Sequence, residues 1–254
     1  AMRRWIRIAA PLLVALSVAA VAYQPSASAA AQNATHHTKS TRESVSVMPM
    51  GDSITGSTGC WRALLWTKLK GSGRGSFDFE GESVGPECDS VFDDDAVAYS
   101  GTRVVDMTPK DEFLETLSDT GASASIALMH LGSNDIRDDK SINDILDGYT
   151  TVVGLLRKAN PDAIILVAQL IPITESPMDE NCPQCPEKIR ELNAEIPGWA
   201  ARMGTKLSPI TVVDQHEGFD PEADTSDGLH PDDSGSEKIA GNWYDALEKV
   251  IDGM

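Results

Sequence analysis

The sequence predicts an α/β protein, a three-layer α/β/α sandwich built on a parallel sheet. Three observations carry that expectation. Ile126-Ala127-Leu128-Met129 and Ala163-Ile164-Ile165-Leu166-Val167-Ala168 are unbroken apolar runs, the pattern of parallel strands covered on both faces. Short β-rich runs alternate with segments of helical periodicity, which calls for right-handed helical crossovers between parallel strands. Gly51-Asp52-Ser53 and Gly132-Ser133-Asn134-Asp135 each follow such a run, where this fold class turns at the carboxyl ends of its strands.

The elements follow in order. Met2-Arg3-Arg4-Trp5-Ile6-Arg7 is a basic start, Ile8 to Ala22 is apolar and uncharged, and Pro25-Ser26-Ala27-Ser28-Ala29 offers small residues in an A-x-A pattern. Residues 1–29 therefore read as a signal peptide, because the apolar run is shorter than the roughly 20 residues that cross a bilayer. Residues 30–43, with His36 and His37, read as a flexible lead-in, and 44–254 as one catalytic domain. Candidate strands are Ser44–Met50, Phe77–Glu80, Ser123–His130, Ala163–Gln169 and Ile210–Asp214. Candidate helices are Trp61–Lys70, Lys110–Leu117, Ile142–Ala159, Glu187–Met203 and Asp232–Ile251. Ile142, Ile145, Leu146, Tyr149, Val152, Val153 and Leu156 fall at the spacing of one buried helix face, and Ser141 and Asp232 are candidate N-caps.

Charge narrows the partners. With 39 Asp+Glu against 21 Lys+Arg the net charge is −18, a surface that repels nucleic acid and anionic lipid headgroups. The expectation is a secreted monomer that binds neither nucleic acid nor, after signal cleavage, membrane. Four cysteines in an exported chain suggest two disulfides, with Cys60–Cys88 and Cys182–Cys185 preferred. The first would tie the helix after Ser53 to the acidic loop from Glu82 to Asp95, expected to form a wall of the site. A redox or zinc reading of Cys182 and Cys185 lacks a second C-x-x-C or a nearby His.

Acyl transfer by a hydroxyl needs a base, a group to orient that base, and donors for the oxyanion. Ser53 sits where a strand gives way to a turn and suits the nucleophile. His230, three residues after Asp227, suits the base, with Asp227 as its orienter. Asn134 carries a neutral amide donor, the Ser53 N–H is a second donor, and Gly101 is a third because without a Cβ its main chain can approach substrate. Each motif also has a plainer reading, as a helix-capping turn, a strand-end turn or an acidic loop holding a histidine. Their combination, in this order and at strand ends, carries the assignment. His130 ends an apolar strand and reads as a core residue. Asp93-Asp94-Asp95 reads as a hydrated loop rather than a calcium site. Trp66 is expected to pack inward, whereas Trp61 is expected to stack on a sugar or cover Cys60.

Gly51-Asp52-Ser53, Ser100-Gly101, Gly132-Ser133-Asn134-Asp135 and Asp227-Gly228-Leu229-His230 resemble, in that order, the motifs of the GDSL or SGNH hydrolase superfamily. The resemblance covers roughly Val45 to Leu247. It implies a flavodoxin-like sandwich with a five-stranded parallel sheet. It also implies Ser53, His230 and Asp227 as a catalytic triad, an oxyanion hole of Ser53, Gly101 and Asn134, and no metal or organic cofactor. Met48 to Thr55, Tyr99-Ser100-Gly101 and Asn160-Pro161-Asp162-Ala163 are similar to carbohydrate esterase family 3, with Tyr99 where a His often stands. That narrower likeness implies a secreted esterase removing short acyl groups, such as acetyl, from plant polysaccharide. A lipase or a cutin- or suberin-directed polyester esterase is the alternative ester substrate class. A glycan-binding domain without turnover and a zinc hydrolase are further rivals from other classes.

Overall fold

The computed structural model describes residues 44–83 and 85–254. The segments read as signal peptide (1–29) and lead-in (30–43) lie outside the described residues. The strands are β1 (Val45–Gly51), β2 (Phe77–Phe79), β3 (Val97–Ala98), β4 (Ile126–His130), β5 (Ile164–Gln169) and β6 (Ile210–Asp214). All pair in parallel, in the order β2-β1-β4-β5-β6, with β3 also on β1. β2 covers the first part of the outer edge of β1, with Val45 opposite Phe77, and β3 covers the end, with Met50 opposite Val97. Six strands thus fill five positions. The five expected strands are all there. β3, two residues long, has no period to betray it.

Helices flank this sheet: α1 (Ser53–Gly56), α2 (Trp61–Gly71), α3 (Glu112–Thr120), α4 (Ser133–Arg137), α5 (Ile142–Ala159), α6 (Cys185–Met203) and α7 (Asp233–Asp252). α2 packs on α7, and α5 lies between α3 and α6. The α5 stripe of Ile145, Leu146, Tyr149, Val152, Val153 and Leu156 is buried, each large apolar side chain contributing roughly 1.5–3 kcal/mol. Ser141 caps α5 by accepting from Asp144 N–H, and Asp232 caps α7 by accepting from Gly235 N–H.

Trp61 departs from the sugar-facing role considered for it, whereas Trp66 packs inward as expected. Trp61 is 1% exposed, its ring 6.4 Å from that of Trp243, and its Nε1 donates to Ile54 O at 2.8 Å. It is core, because its indole N–H finds a main-chain partner only inward. Trp66 is half-buried, edge-on to Phe79 at 5.1 Å. The acidic loop is anchored to α2. Arg62 donates to Asp94 O at 2.6 Å, and the Asp93 carboxylate accepts from Phe79 N–H at 2.7 Å.

What positions the site is the order of the strands. From β1 the chain moves outward to β2, then returns and continues on the other side to β4. β1 and β4 are therefore neighbours at a topological switch, the place where such sheets open a crevice. Their register sets Gly51 opposite His130, so the turns that follow the two strands begin side by side.

Candidate active site

Ser53 opens α1 directly after β1. Asp52 caps that helix, its carboxylate accepting from Ile54 N–H at 3.0 Å. Ser57 N–H and Thr58 N–H both return to Ser53 O at 3.0 Å, which closes the turn tightly around the hydroxyl. Ser53 is 9% exposed.

His230 arrives from the far edge of the sheet, on the segment between β6 and α7. That segment is pinned by Asp224, whose carboxylate accepts from Lys238 Nζ at 2.6 Å, Ser234 Oγ at 2.8 Å and Asp220 N–H at 2.7 Å. Cys60 N–H donates to Ser236 Oγ at 3.2 Å, joining the start of α7 to the start of α2. The tip is held from the β5 side, where Thr174 N–H donates to Gly228 O at 3.0 Å and Met178 N–H to Asp227 O at 2.7 Å. Gly228 has φ +79°, and a Cβ there would stand 2.2 Å from Thr174 Oγ1, so only glycine fits.

The result is a continuous relay. Ser53 Oγ is 3.0 Å from His230 Nε2, and His230 Nδ1 is 2.7 Å from Asp227 Oδ2. The other carboxylate oxygen, Oδ1, accepts from Leu229 N–H at 3.1 Å and His230 N–H at 2.8 Å. With Nδ1–H given to the carboxylate, Nε2 is left as the acceptor facing the hydroxyl. Burial acts to raise the Asp227 carboxyl, but the main-chain N–H and ring of His230 outweigh it and hold the group below its ordinary range. Asp227 therefore stays ionised beside the imidazole.

Asn134 and Gly101 stand on the other side of Ser53. Asn134 Nδ2 is 3.3 Å from Asp52 Oδ2 and 3.2 Å from Thr102 O, which links it to both the Ser53 turn and the loop carrying Gly101. Gly101 has φ +79°, and a Cβ there would point into open space. Ser57 Oγ and Ser100 Oγ meet at 2.8 Å, fastening that loop to the end of α1. His130 is buried, and neither ring nitrogen has a partner among the described residues. Burial pushes it down to about 4, so it stays neutral. Cys60–Cys88 and Cys182–Cys185 are bonded, with Cα atoms 6.0 and 5.4 Å apart.

Sequence reasoning missed the supports. Asp135, read only as a turn partner, accepts from Val104 N–H and Val105 N–H, both at 3.0 Å, and clamps the Gly101 loop to α4. Asp52 is wholly buried, and desolvation, helped by the nearby Asp135 charge, raises it to about 7. Arg137 donates to Asn134 Oδ1 at 3.1 Å. A signal for Arg137 existed in its spacing, since residues three apart share a helix face.

Comparison with known proteins gives the family. A family profile described as GDSL-like lipase/acylhydrolase family matches residues 50–238. A carbohydrate esterase family 3 structure from Talaromyces cellulolyticus is 29% identical, with a TM-score of 0.72, covering 83% of this chain and 99% of that one. The structure of an acetyl esterase mutant with an acetate ion is 28% identical, with a TM-score of 0.71, covering 82% and 99%. A multidomain esterase from Ruminococcus flavefaciens is 26% identical over 99% of this chain. The chain spans about a third (34%) of the length of that curated relative.

Proposed function

Because the chain belongs to the GDSL-like lipase/acylhydrolase family, we propose that it is a secreted serine esterase that removes short acyl groups, acetyl foremost, from plant polysaccharide. The observation that carries the reading is the relay of 3.0 and 2.7 Å joining Ser53, His230 and Asp227. Ser53 Oγ attacks the ester carbonyl carbon while His230 Nε2 takes its proton. The negative charge that forms on the carbonyl oxygen is met by Ser53 N–H, Gly101 N–H and Asn134 Nδ2. As the tetrahedral intermediate collapses, the C–O bond to the alcohol breaks and the imidazolium returns the proton to the departing oxygen. Water then attacks the acyl-enzyme, giving one proton to Nε2, and that proton goes back to Ser53 Oγ as the carboxylic acid leaves. Asp227 orients the imidazole and stabilises its charged form throughout. Every step uses this chain's own main-chain and side-chain groups and water.

The substrate class is supported by what borders the Gly101 loop. A cavity of about 270 Å³ opens there, lined among others by Tyr99, Arg103, Asp106, Asp111 and Glu112. Arg103, Asp106, Asp111 and Glu112 can hydrogen-bond the hydroxyls of a sugar, while Tyr99, Met107 and Phe113 supply apolar surface beside them. The carbohydrate esterase among the similar structures points the same way. Secretion is supported by the basic-apolar-small pattern of residues 1–29 and by two disulfides. Among the described residues no helix is long and apolar enough to cross a membrane. The enzyme acts as a monomer, needs no cofactor, and binds neither nucleic acid nor membrane.

A substrate panel tests this. The 30–254 form should release acetate from acetylated xylan and p-nitrophenol from the acetate ester. It should act far more slowly on long-chain esters and cutin, and Ser53→Ala should lose all of it. Faster turnover of cutin or long-chain esters would reassign the substrate, and full activity in Ser53→Ala would remove the nucleophile.

A further inference from the structure

The Asn134 amide has two ends of nearly the same shape, and only the NH2 end can stabilise an oxyanion. Something must hold it the right way round. Its nitrogen faces two acceptors, Thr102 O at 3.2 Å and Asp52 Oδ2 at 3.3 Å. Its oxygen faces Arg137, whose Nη1 donates at 3.1 Å. Arg137 carries five N–H donors and no acceptor, so a turned amide would set donor against donor there and its oxygen against the Thr102 carbonyl oxygen at the other end. The guanidinium is itself held. Its side chain is only 15% exposed, and its other Nη pairs with Glu180, beyond β5. Asn134 and Arg137 are three residues apart on α4, which brings the two side chains onto one face.

We propose that Arg137 is a positioning residue for the oxyanion hole, fixing the orientation of the Asn134 amide and polarising its N–H groups through Oδ1. The inference rests on the reading of Asn134 as an oxyanion donor. A cation bonded to an amide oxygen draws electron density from the nitrogen and makes the N–H a stronger donor. The two contacts at Nδ2 are long for N–H···O bonds, so one can be exchanged for a developing oxyanion at small cost. The contact from Arg137 remains in place during that exchange. Its contribution therefore grows as charge forms on the substrate, and it belongs to kcat rather than to KM.

A double-mutant cycle tests this with p-nitrophenyl acetate, using Arg137→Met, Arg137→Lys, Asn134→Ala and the combined variants, each checked for native circular dichroism. Arg137→Met should lower kcat by about 10- to 100-fold while KM changes by less than about threefold. Arg137→Lys, which keeps a charged donor without the planar fork, should lose less. On the Asn134→Ala background either Arg137 change should lower kcat by less than about twofold, because the group it acts through is gone. If Arg137→Met does not fold, the lysine variant alone closes the cycle with the same expectation. Equal losses in both backgrounds, or an unchanged kcat in Arg137→Met, would overturn the inference and leave the oxyanion hole standing. An unchanged kcat in Asn134→Ala would overturn the oxyanion assignment itself, and the role of Arg137 with it.

Discussion

At Asp227 burial and hydrogen bonding pull in opposite directions, and hydrogen bonding wins. The carboxylate is ionised where an imidazolium must form beside it, so its replacement should be costly out of proportion to its size. Asp227→Asn keeps the shape but offers an amide that can favour the wrong tautomer of His230. Its kcat on p-nitrophenyl acetate should fall by roughly 10³- to 10⁴-fold at neutral pH, measured in steady state on folded protein. Asp52 shows the opposite balance. Desolvation raises this buried carboxyl from 3.8 to about 7, while Ile54 N–H holds it back. A carboxyl raised on folding favours the fold most below its unfolded pKa. That advantage is lost as pH rises from about 4 through 7, because the unfolded chain ionises first. The shift corresponds to about 4 kcal/mol in all. Wild type should therefore lose stability relative to Asp52→Asn between pH 4 and 7 and run parallel to it above. Denaturant melts across that range, with a constant difference between the two proteins, would contradict the assignment.

The elements that build the site are the ones with the least sequence signal. β4 and β5 are legible because apolar runs such as Ile126–Met129 need no context, and α5 because its stripe is long enough to show a period. α1 and α4, of four and five residues, are shorter than two helical turns and have no period to read. They present Ser53 and Asn134. The residue types of the site were legible from their motifs, but the contacts that aim them were not. Asp135 on the Gly101 loop and Thr174 against Gly228 join segments far apart in sequence, and only the strand order brings them together. The tip between β6 and α7 shows how tightly an element can specify one residue. Gly228→Ala would demand φ +79° of an alanine and drive its Cβ into Thr174 Oγ1. The variant should keep the cooperative unfolding of the domain yet lose at least about tenfold in kcat, since a small displacement of a catalytic group has that effect. Wild-type turnover in Gly228→Ala would show that this contact does not aim His230.

At the scale of the whole molecule, one parallel sheet gathers residues from positions 53, 101, 134, 227 and 230 at one end. β1 and β4 deliver two of the turns side by side, and the segment before α7 crosses from the outer strand to meet them. The acidic chain, at −18, surrounds a site in which Arg137 is paired with Glu180 and the Asp227 carboxylate accepts from His230 Nδ1–H. A neutral ester can approach such a surface freely, and a polyanion cannot. The central claim is that the Ser53 hydroxyl becomes a nucleophile because His230 takes its proton. Fluorophosphonate labelling read by intact mass and peptide mapping tests it most directly. One adduct per chain, on the peptide holding Ser53, is expected, with labelling slowed at least about a hundredfold in His230→Ala. An adduct on another residue, or an unchanged rate in His230→Ala, would contradict the account.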